Sequence, residues 1–304
     1  MMNVLGIDVG GTNVKFGLVN EKGELSGKIK YPTAQLALGE SFIDEFANAL
    51  AEQLEVHKKE NISKVGIGFP GLLSEDRTTT LKLQNVPQLN GINVVKHLTK
   101  RFPQVEFRLE NDAKVAALGE FHFSSHKEQN FLMITLGTGV GGAAIINGKL
   151  FSGAHKNGLE IGHMVSSTGD VIEHHIGKKG MVRLALKYLS KEPKKDSILR
   201  EIAPDKLTAK HIEKAAKKGD QIAEKVFKKV GKYLGQCIVS SIRVLDFDKV
   251  YIGGGVAEVF HLMEARMWKE INDYLGDYYT KSLTVKTAEL ENEAGIIGAA
   301  SLCF

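Results

Sequence analysis

Residues 4–19, Val4-Leu5-Gly6-Ile7-Asp8-Val9-Gly10-Gly11-Thr12-Asn13-Val14-Lys15-Phe16-Gly17-Leu18-Val19, decide the fold. An apolar run ends at an acidic residue, two glycines and a threonine turn the chain, and a second apolar run leads to a polar turn at residues 20–23. This is the pattern of a β-hairpin with a glycine-rich turn. Residues 131–151 repeat it: Phe131 to Leu136, then Gly137-Thr138-Gly139-Val140-Gly141-Gly142, then Ala143 to Ile146 and a turn at Asn147-Gly148. Two such units, roughly 125 residues apart, predict two lobes built on related cores.

The rest of the chain alternates strands and helices. Phe42, Ile43, Phe46, Ala47, Leu50 and Leu54 recur at helical spacing, and Val65 to Phe69 reads as a buried strand ending in Pro70-Gly71. Residues 74–92 read as a polar loop. A strand at Val105 to Leu109 runs through Glu110-Asn111-Asp112 into an alanine-rich helix. An irregular glycine-rich stretch covers residues 153–180, and helices follow to about residue 245. Lys249 to Ile252 is a strand closed by Gly253-Gly254-Gly255, Val256 to Leu275 reads as helix, Leu283 to Thr287 as strand, and Glu293 to Cys303 as a small-residue helix. An α/β fold with mixed sheets is expected. The boundary between lobes falls near residues 112–120. Gly295, Gly298, Ala299 and Ala300 predict that the last helix returns to the first lobe and packs closely between the lobes.

Composition narrows the function. The 304 residues are 43% hydrophobic and 25% charged, which excludes a largely disordered chain. Forty Lys and Arg against thirty-six Asp and Glu leave +4, too weak a surplus to demand nucleic acid. The lysines between 178 and 232 interleave with apolar residues at helical spacing and read as solvated helix faces. Cys237 and Cys303 lie in apolar runs as reduced core thiols. No stretch approaches a membrane span or a leader, so a cytoplasmic protein without membrane or nucleic-acid partners is expected.

The glycine turns invite phosphate. Gly137-x-Gly139-x-x-Gly142 matches a dinucleotide fingerprint in form, yet a strand rather than a helix follows it, which disfavours that reading. Glycine-rich hairpin turns still let backbone N–H groups approach phosphate oxygens. Asp8 is then placed to organise Mg²⁺ through water, with Thr12, Lys15 and Thr138 as donors. Asn111-Asp112 begins a helix, where either residue caps it or Asp112 serves as a general base. Glu160-Ile161-Gly162-His163 has a spacing suited to metal ligands, to a sugar pocket or to an exposed polar loop; Glu173, His174 and His175 lie nearby in sequence.

Taken in order, Gly6-Ile7-Asp8-Val9-Gly10-Gly11-Thr12, Gly66-Ile67-Gly68-Phe69-Pro70-Gly71, Glu110-Asn111-Asp112-Ala113, Leu136 to Gly142, Glu160-Ile161-Gly162-His163 and Ile252-Gly253-Gly254-Gly255-Val256 resemble the ROK family of sugar kinases and repressors. The resemblance covers nearly the whole chain. It implies a two-lobed actin-like ATPase (ribonuclease H-like) fold, with mixed sheets flanked by helices and an interlobe cleft. Residues 1–115 plus 290–304 would form a small N-terminal lobe and 116–289 a large C-terminal lobe. It implies an ATP-dependent, glucokinase-like hexose kinase acting on a sugar hydroxyl, glucose O6 first. The alternatives are an N-acetylhexosamine kinase, a fructokinase or a non-catalytic sugar sensor. Asp112 would be the base, with Gly71, Asn111, Glu160, His163 and Glu173 holding the hexose. Asp8, Gly10, Gly11, Thr12, Lys15, Gly137, Thr138 and Gly139 would hold the ATP phosphates, with Mg²⁺ on Asp8 through water, and Gly254 and Gly255 the adenosine. A homodimer is implied as well.

Two departures and one boundary qualify the resemblance. Many relatives follow the Gly-His pair with a cysteine-rich zinc loop, whereas residues 164–173 read Met-Val-Ser-Ser-Thr-Gly-Asp-Val-Ile-Glu, so no structural zinc is expected. The segment Asn85-Val86-Pro87-Gln88-Leu89 lacks the tryptophan of many relatives, so the sugar rim is expected to differ. Family repressors carry a winged helix before the first phosphate motif. Here that motif begins at Gly6, which favours a kinase over a regulator.

Overall fold

Period-two alternation in β1 (Asn3–Val9) sorts its residues onto two faces: Leu5, Ile7 and Val9 enter one core and Val4 another. The computed structural model describes residues 2–166 and 168–304. β2 (Asn13–Asn20) pairs antiparallel with β1, and β3 (Leu25–Pro32) with β2. After α1 (Thr33–Leu36) and α2 (Phe42–Val56), β4 (Lys64–Phe69) lies parallel to β1. The short pair β5 (Leu72–Leu73) and β6 (Thr80–Lys82) and then α3 (Val94–Arg101) precede β7 (Glu106–Asn111), which is parallel to β4. The first sheet has the order β3-β2-β1-β4-β7.

α4 (Asp112–Phe123) leads to β8 (Phe131–Leu136), β9 (Val140–Ile146) and β10 (Lys149–Leu150). Four helices follow, α5 (Glu173–Ile176), α6 (Lys178–Lys191), α7 (Ala209–Lys217) and α8 (Gln221–Leu245). β11 (Lys249–Gly253), α9 (His261–Tyr274), α10 (Asp277–Thr280), β12 (Thr284–Thr287) and α11 (Ala294–Ser301) complete the chain. The second sheet runs β10-β9-β8-β11-β12, with β11 parallel to both β8 and β12. Mixed sheets flanked by helices are thus present, as the sequence predicts. Residues 74–92 are more ordered than a loop: Leu83, Val86 and Leu89 are fully buried, and their anchoring shapes β6 and a 3-10 turn at Pro87–Leu89. Val256 to Leu275 is a 3-10 turn at Ala257–Val259 followed by α9. In the lysine-rich stretch, Ile212, Ala215, Ile222, Val226 and Phe227 are buried while Lys217, Lys218 and Lys228 face solvent.

Packing divides the chain into two compact units. One comprises Met1–Asn130, Ala143–Leu159 and Glu289–Phe304; the other comprises Phe131–Gly142 and Glu160–Ala288. The sequence boundary at 115/116 falls inside α4, which packs as a whole in the first unit.

In the first unit, α2 seals one face of the first sheet, setting Phe46 and Leu50 among Phe16, Ile67 and Phe69. Each such side chain contributes about 1.5–3 kcal/mol of burial. The opposite face is cut by a row of glycines on three adjacent strands, because Gly6 is in register with both Gly17 and Gly66. α11 lies along this row. A side chain on Gly6 would overlap the Ile296 carbonyl, and one on Gly66 the Ala299 carbonyl. On the flank of α11, Gly298 and Gly119 let it touch α4. The small residues near the end of the chain therefore do permit close packing, and they pack on β1, β4 and α4 of the first unit. The reason is that the matching glycines all lie on that one sheet face.

Candidate active site

Three parallel strands of the first unit end side by side. Asp8 of β1 is in register with Gly68 of β4, Gly68 with Glu110 of β7, and Phe69 with Asn111. The carboxyl ends of such strands are where open α/β sheets bind ligands. Lys15 lies directly across the hairpin from Asp8, and its Nζ is 2.7 Å from Asp8 Oδ2. Gly295, in the first turn of α11, packs against the Asp8 carboxylate and leaves no space for a side chain. The glycine turn is closed by Gly10 N–H donating to Asn13 O at 2.9 Å. It is braced from outside by Thr33, whose Oγ1 donates to Gly10 O at 2.6 Å and whose N–H donates to Thr12 O at 2.9 Å. Gly11 lies against Asn85. Mg²⁺ is held in phosphate-binding sites by one or two carboxylates together with the phosphates and waters, and the single carboxylate of Asp8 fits that pattern.

Asn111 is the cap of α4: its Oδ1 accepts the N–H groups of Ala113 at 3.0 Å and Lys114 at 3.2 Å. Its Nδ2 donates to Gly71 O at 3.2 Å, which ties β7 to the end of β4. Gly71 has φ +140°, a conformation open to glycine alone at this cost. Asp112 stands at the first helical position, where its Oδ1 accepts the Ala113 N–H at 2.8 Å. The cap is complete without it.

The second unit gathers the other residues around the Val140 peptide. Glu173 Oε2 accepts the Val140 N–H at 3.0 Å, and its carboxylate lies against Gly139. Gly162 approaches the Val140 carbonyl too closely for any side chain. Glu160 therefore caps, and His163 ends, a 3-10 turn, Ile161–His163, seated on the second glycine turn. In such a turn residues i and i+3 eclipse, and Glu160 Oε2 is 3.7 Å from His163 Nδ1. The second turn is further fixed by Gly137 N–H donating to Gly139 O at 2.9 Å and by Lys178 N–H donating to Gly137 O at 3.1 Å. Gly254, with φ +81°, packs on the Leu136 carbonyl, and the Val256 N–H donates to that oxygen at 3.0 Å. The Gly253–Gly255 turn thus adjoins the start of the second glycine turn.

Sequence reasoning assigns Glu173 to the hexose; the structure sets its carboxylate on the glycine turn, a contact with no signature in spacing. It also misses Arg77, Lys114 and Asn157, whose polar contacts join β5, β7 and α4, because no local motif marks them. In place of a zinc loop stands a small hydrogen-bonded excursion in which Val165 bridges Val171 and His175 Nε2 lies 3.1 Å from both Ser166 Oγ and Thr168 Oγ1. Ser167 lies outside the described residues. Burial lowers the pKa of His175, and the hydrogen bond from His174 lowers that of Asp170. Among the described residues no group of three or more His, Cys, Asp or Glu could hold a metal ion. Prolonged dialysis against a chelator is expected to leave the melting temperature of the nucleotide-free protein unchanged. A fall beyond about 3 °C, roughly 1 kcal/mol for a domain of this size, would reveal a structural metal.

Among the described residues no helix is long and apolar enough to cross a membrane. Comparison with known proteins gives a consistent picture. A model of the ROK family matches residues 4–304. Glucokinase from Thermotoga maritima is 29% identical, over 99% of this chain and 97% of its own. N-acetyl-D-glucosamine kinase from Vibrio atlanticus is also 29% identical, over 98% of each chain. The ROK family glucokinase from Streptomyces griseus, solved in complex with glucose and AMPPNP, superposes with a TM-score of 0.86 at 26% identity, covering 99% of this chain and 98% of that one. The fold is that of the actin-like ATPases.

Proposed function

The chain belongs to the ROK family, and from that membership we propose that it transfers the γ-phosphate of ATP to a hexose hydroxyl, with glucose O6 as the foremost acceptor. The observation that carries the reading is the Asn111-Asp112 junction. Asn111 is the cap residue of α4, and Asp112, the next residue, stands at the first helical position where β7 ends, the place in the strand-end row where a base for a sugar hydroxyl is called for. In this reading Asp112 takes the proton from the sugar hydroxyl as its oxygen attacks the γ-phosphorus. The bond to the bridging oxygen breaks, and ADP leaves. A positioned base contributes about 10²- to 10⁴-fold, and the remainder is orientation and charge stabilisation.

Gly71, Asn111, Glu160, His163 and Glu173 hold the hexose. The phosphates are held by Asp8, Gly10, Gly11, Thr12 and Lys15 and by Gly137, Thr138 and Gly139, and the adenosine by Gly254 and Gly255. Mg²⁺ on Asp8 through water supplies charge neutralisation when bound. Because Glu173 accepts the Val140 N–H, the same side chain links hexose contacts to the second phosphate turn.

The test is ADP release from Mg-ATP with glucose, mannose, fructose, allose, N-acetylglucosamine or N-acetylmannosamine, each against a control without sugar. Glucose is expected to give the highest kcat/KM. Preferred turnover of N-acetylglucosamine would favour the second reading, which the similarity to the Vibrio kinase supports. Sugar binding without turnover would point to a sensor and overturn the kinase assignment.

A further inference from the structure

Arg77 occupies the turn between β5 and β6 with φ +58°, a left-handed conformation that residues with side chains seldom adopt without an enforcing environment. Its guanidinium holds three segments of the first unit together. Nη2 lies 2.9 Å from Glu110 Oε1 and Nε donates to Glu110 Oε2 at 3.1 Å, a fork-on-fork pair. Glu110 Oε1 also accepts the backbone N–H of Asn111 at 2.8 Å. In the other direction Nη1 donates to Asn157 Oδ1 at 3.2 Å, and Nη2 donates to the Lys156 carbonyl. Asn157 closes the joint on β5 by accepting the Leu73 N–H at 3.3 Å and donating to Leu73 O at 2.9 Å.

The Lys156 carbonyl takes a second cationic donor, Nζ of Lys114, a residue of α4 that is only 1% exposed. Lys156 and Leu159 are themselves left-handed, with φ +56° and +69°. Two charge-assisted bonds on the carbonyl of a left-handed residue mark Lys156 as a point where the shape of the segment is enforced. The Arg77 and Glu110 side chains are 12% and 9% exposed, so this is no screened surface pair.

We infer that Arg77 is a positioning residue for the sugar site. Through Glu110 it sets the Asn111-Asp112 backbone, and through Asn157 and the Lys156 carbonyl it sets residues 153–159, the stretch that leads in sequence to Glu160. The inference rests on the kinase reading above. It requires a guanidinium, because a lysine presents no planar fork and cannot satisfy the carboxylate, the amide and the carbonyl together.

The test compares Arg77→Lys and Asn157→Ala with the wild-type chain, using the sugar that the wild type turns over best, with folding verified by thermal melts. Both variants are expected to raise the KM for sugar about tenfold, as misplacement of a bound substrate does, while the KM for ATP stays within about twofold. Folded variants with sugar KM within twofold of wild type, or with sugar and ATP KM rising together, would overturn the inference. Should Arg77→Lys fail to fold, Asn157→Ala decides by the same criteria, since it removes an arm of the joint and no charge. A wild-type chain that phosphorylates none of the sugars would instead overturn the kinase reading, and this inference with it.

Discussion

Asp112→Asn is expected to lower turnover by about 10²- to 10⁴-fold while the affinity for hexose stays near that of the wild-type chain. The amide is isosteric with the carboxylate and retains an oxygen to accept the Ala113 N–H, so the local fold survives. Helix α4 keeps its cap, which belongs to Asn111. What the substitution removes is the capacity to accept the hydroxyl proton. A loss confined to kcat, with calorimetric sugar binding retained, is the pattern of an interaction made only in the transition state. Near-normal turnover by a variant that binds sugar normally would reduce Asp112 to a helix-end residue and remove the base from the mechanism.

The second large effect is on stability. Gly66→Val is expected to destabilise the protein by about 3 kcal/mol or more, the upper range for inserting atoms into a close-packed core. The new side chain would overlap the Ala299 carbonyl, which is helix backbone and cannot rotate aside. To make room, α11 must lift from β1 and β4, and it would lose the burial of Ile296, Ile297 and Ala300 against Val4 and Val19. Displacement also moves Gly295 away from Asp8, so residual folded protein should bind nucleotide more weakly. Urea unfolding measures the first effect. A variant within about 1 kcal/mol of wild type would mean that α11 can re-seat, and that the glycine row is not what fixes its distance from the sheet.

The two glycine hairpins were legible because a turn, its flanking strands and its polar residues are neighbours in sequence. Edge strand β3 was not, since its residues Ser26, Gly27, Lys28 and Lys30 are exposed and show no alternation. That strand exists because β2 offers it a partner, a cause outside its own residues. Helix α3 carries its own start signal, Asn93 accepting the Lys96 N–H at 2.8 Å, but its apolar face is short and went unread.

Glu160 and His163 were legible as a pair, but the 3-10 turn that carries them was not, because Gly162 passes against the Val140 carbonyl, a contact 22 residues away in sequence. Glu173 was assigned through its place after the Gly-His motif, whereas its hydrogen bond to Val140 spans 33 residues. The cap of α4 and the proposed base were legible as two adjacent residues; which of them caps the helix was not, because it depends on which side-chain oxygen meets which helix N–H.

By itself the sequence determined the α/β class, the two glycine-rich turns and the Asp8 and Lys15 side chains that flank the first of them, since these depend on periodicity, on glycine's missing side chain and on chemistry within a few residues. Tertiary structure alone decided that Gly17, Gly6 and Gly66 form one row beneath α11, and that Arg77 joins Glu110, 33 residues away, to Asn157, 80 residues away. The physical reason is that a steric fit or a charge-assisted hydrogen bond needs both partners within a few ångströms, and for partners this far apart in sequence that distance is set by how the whole chain packs.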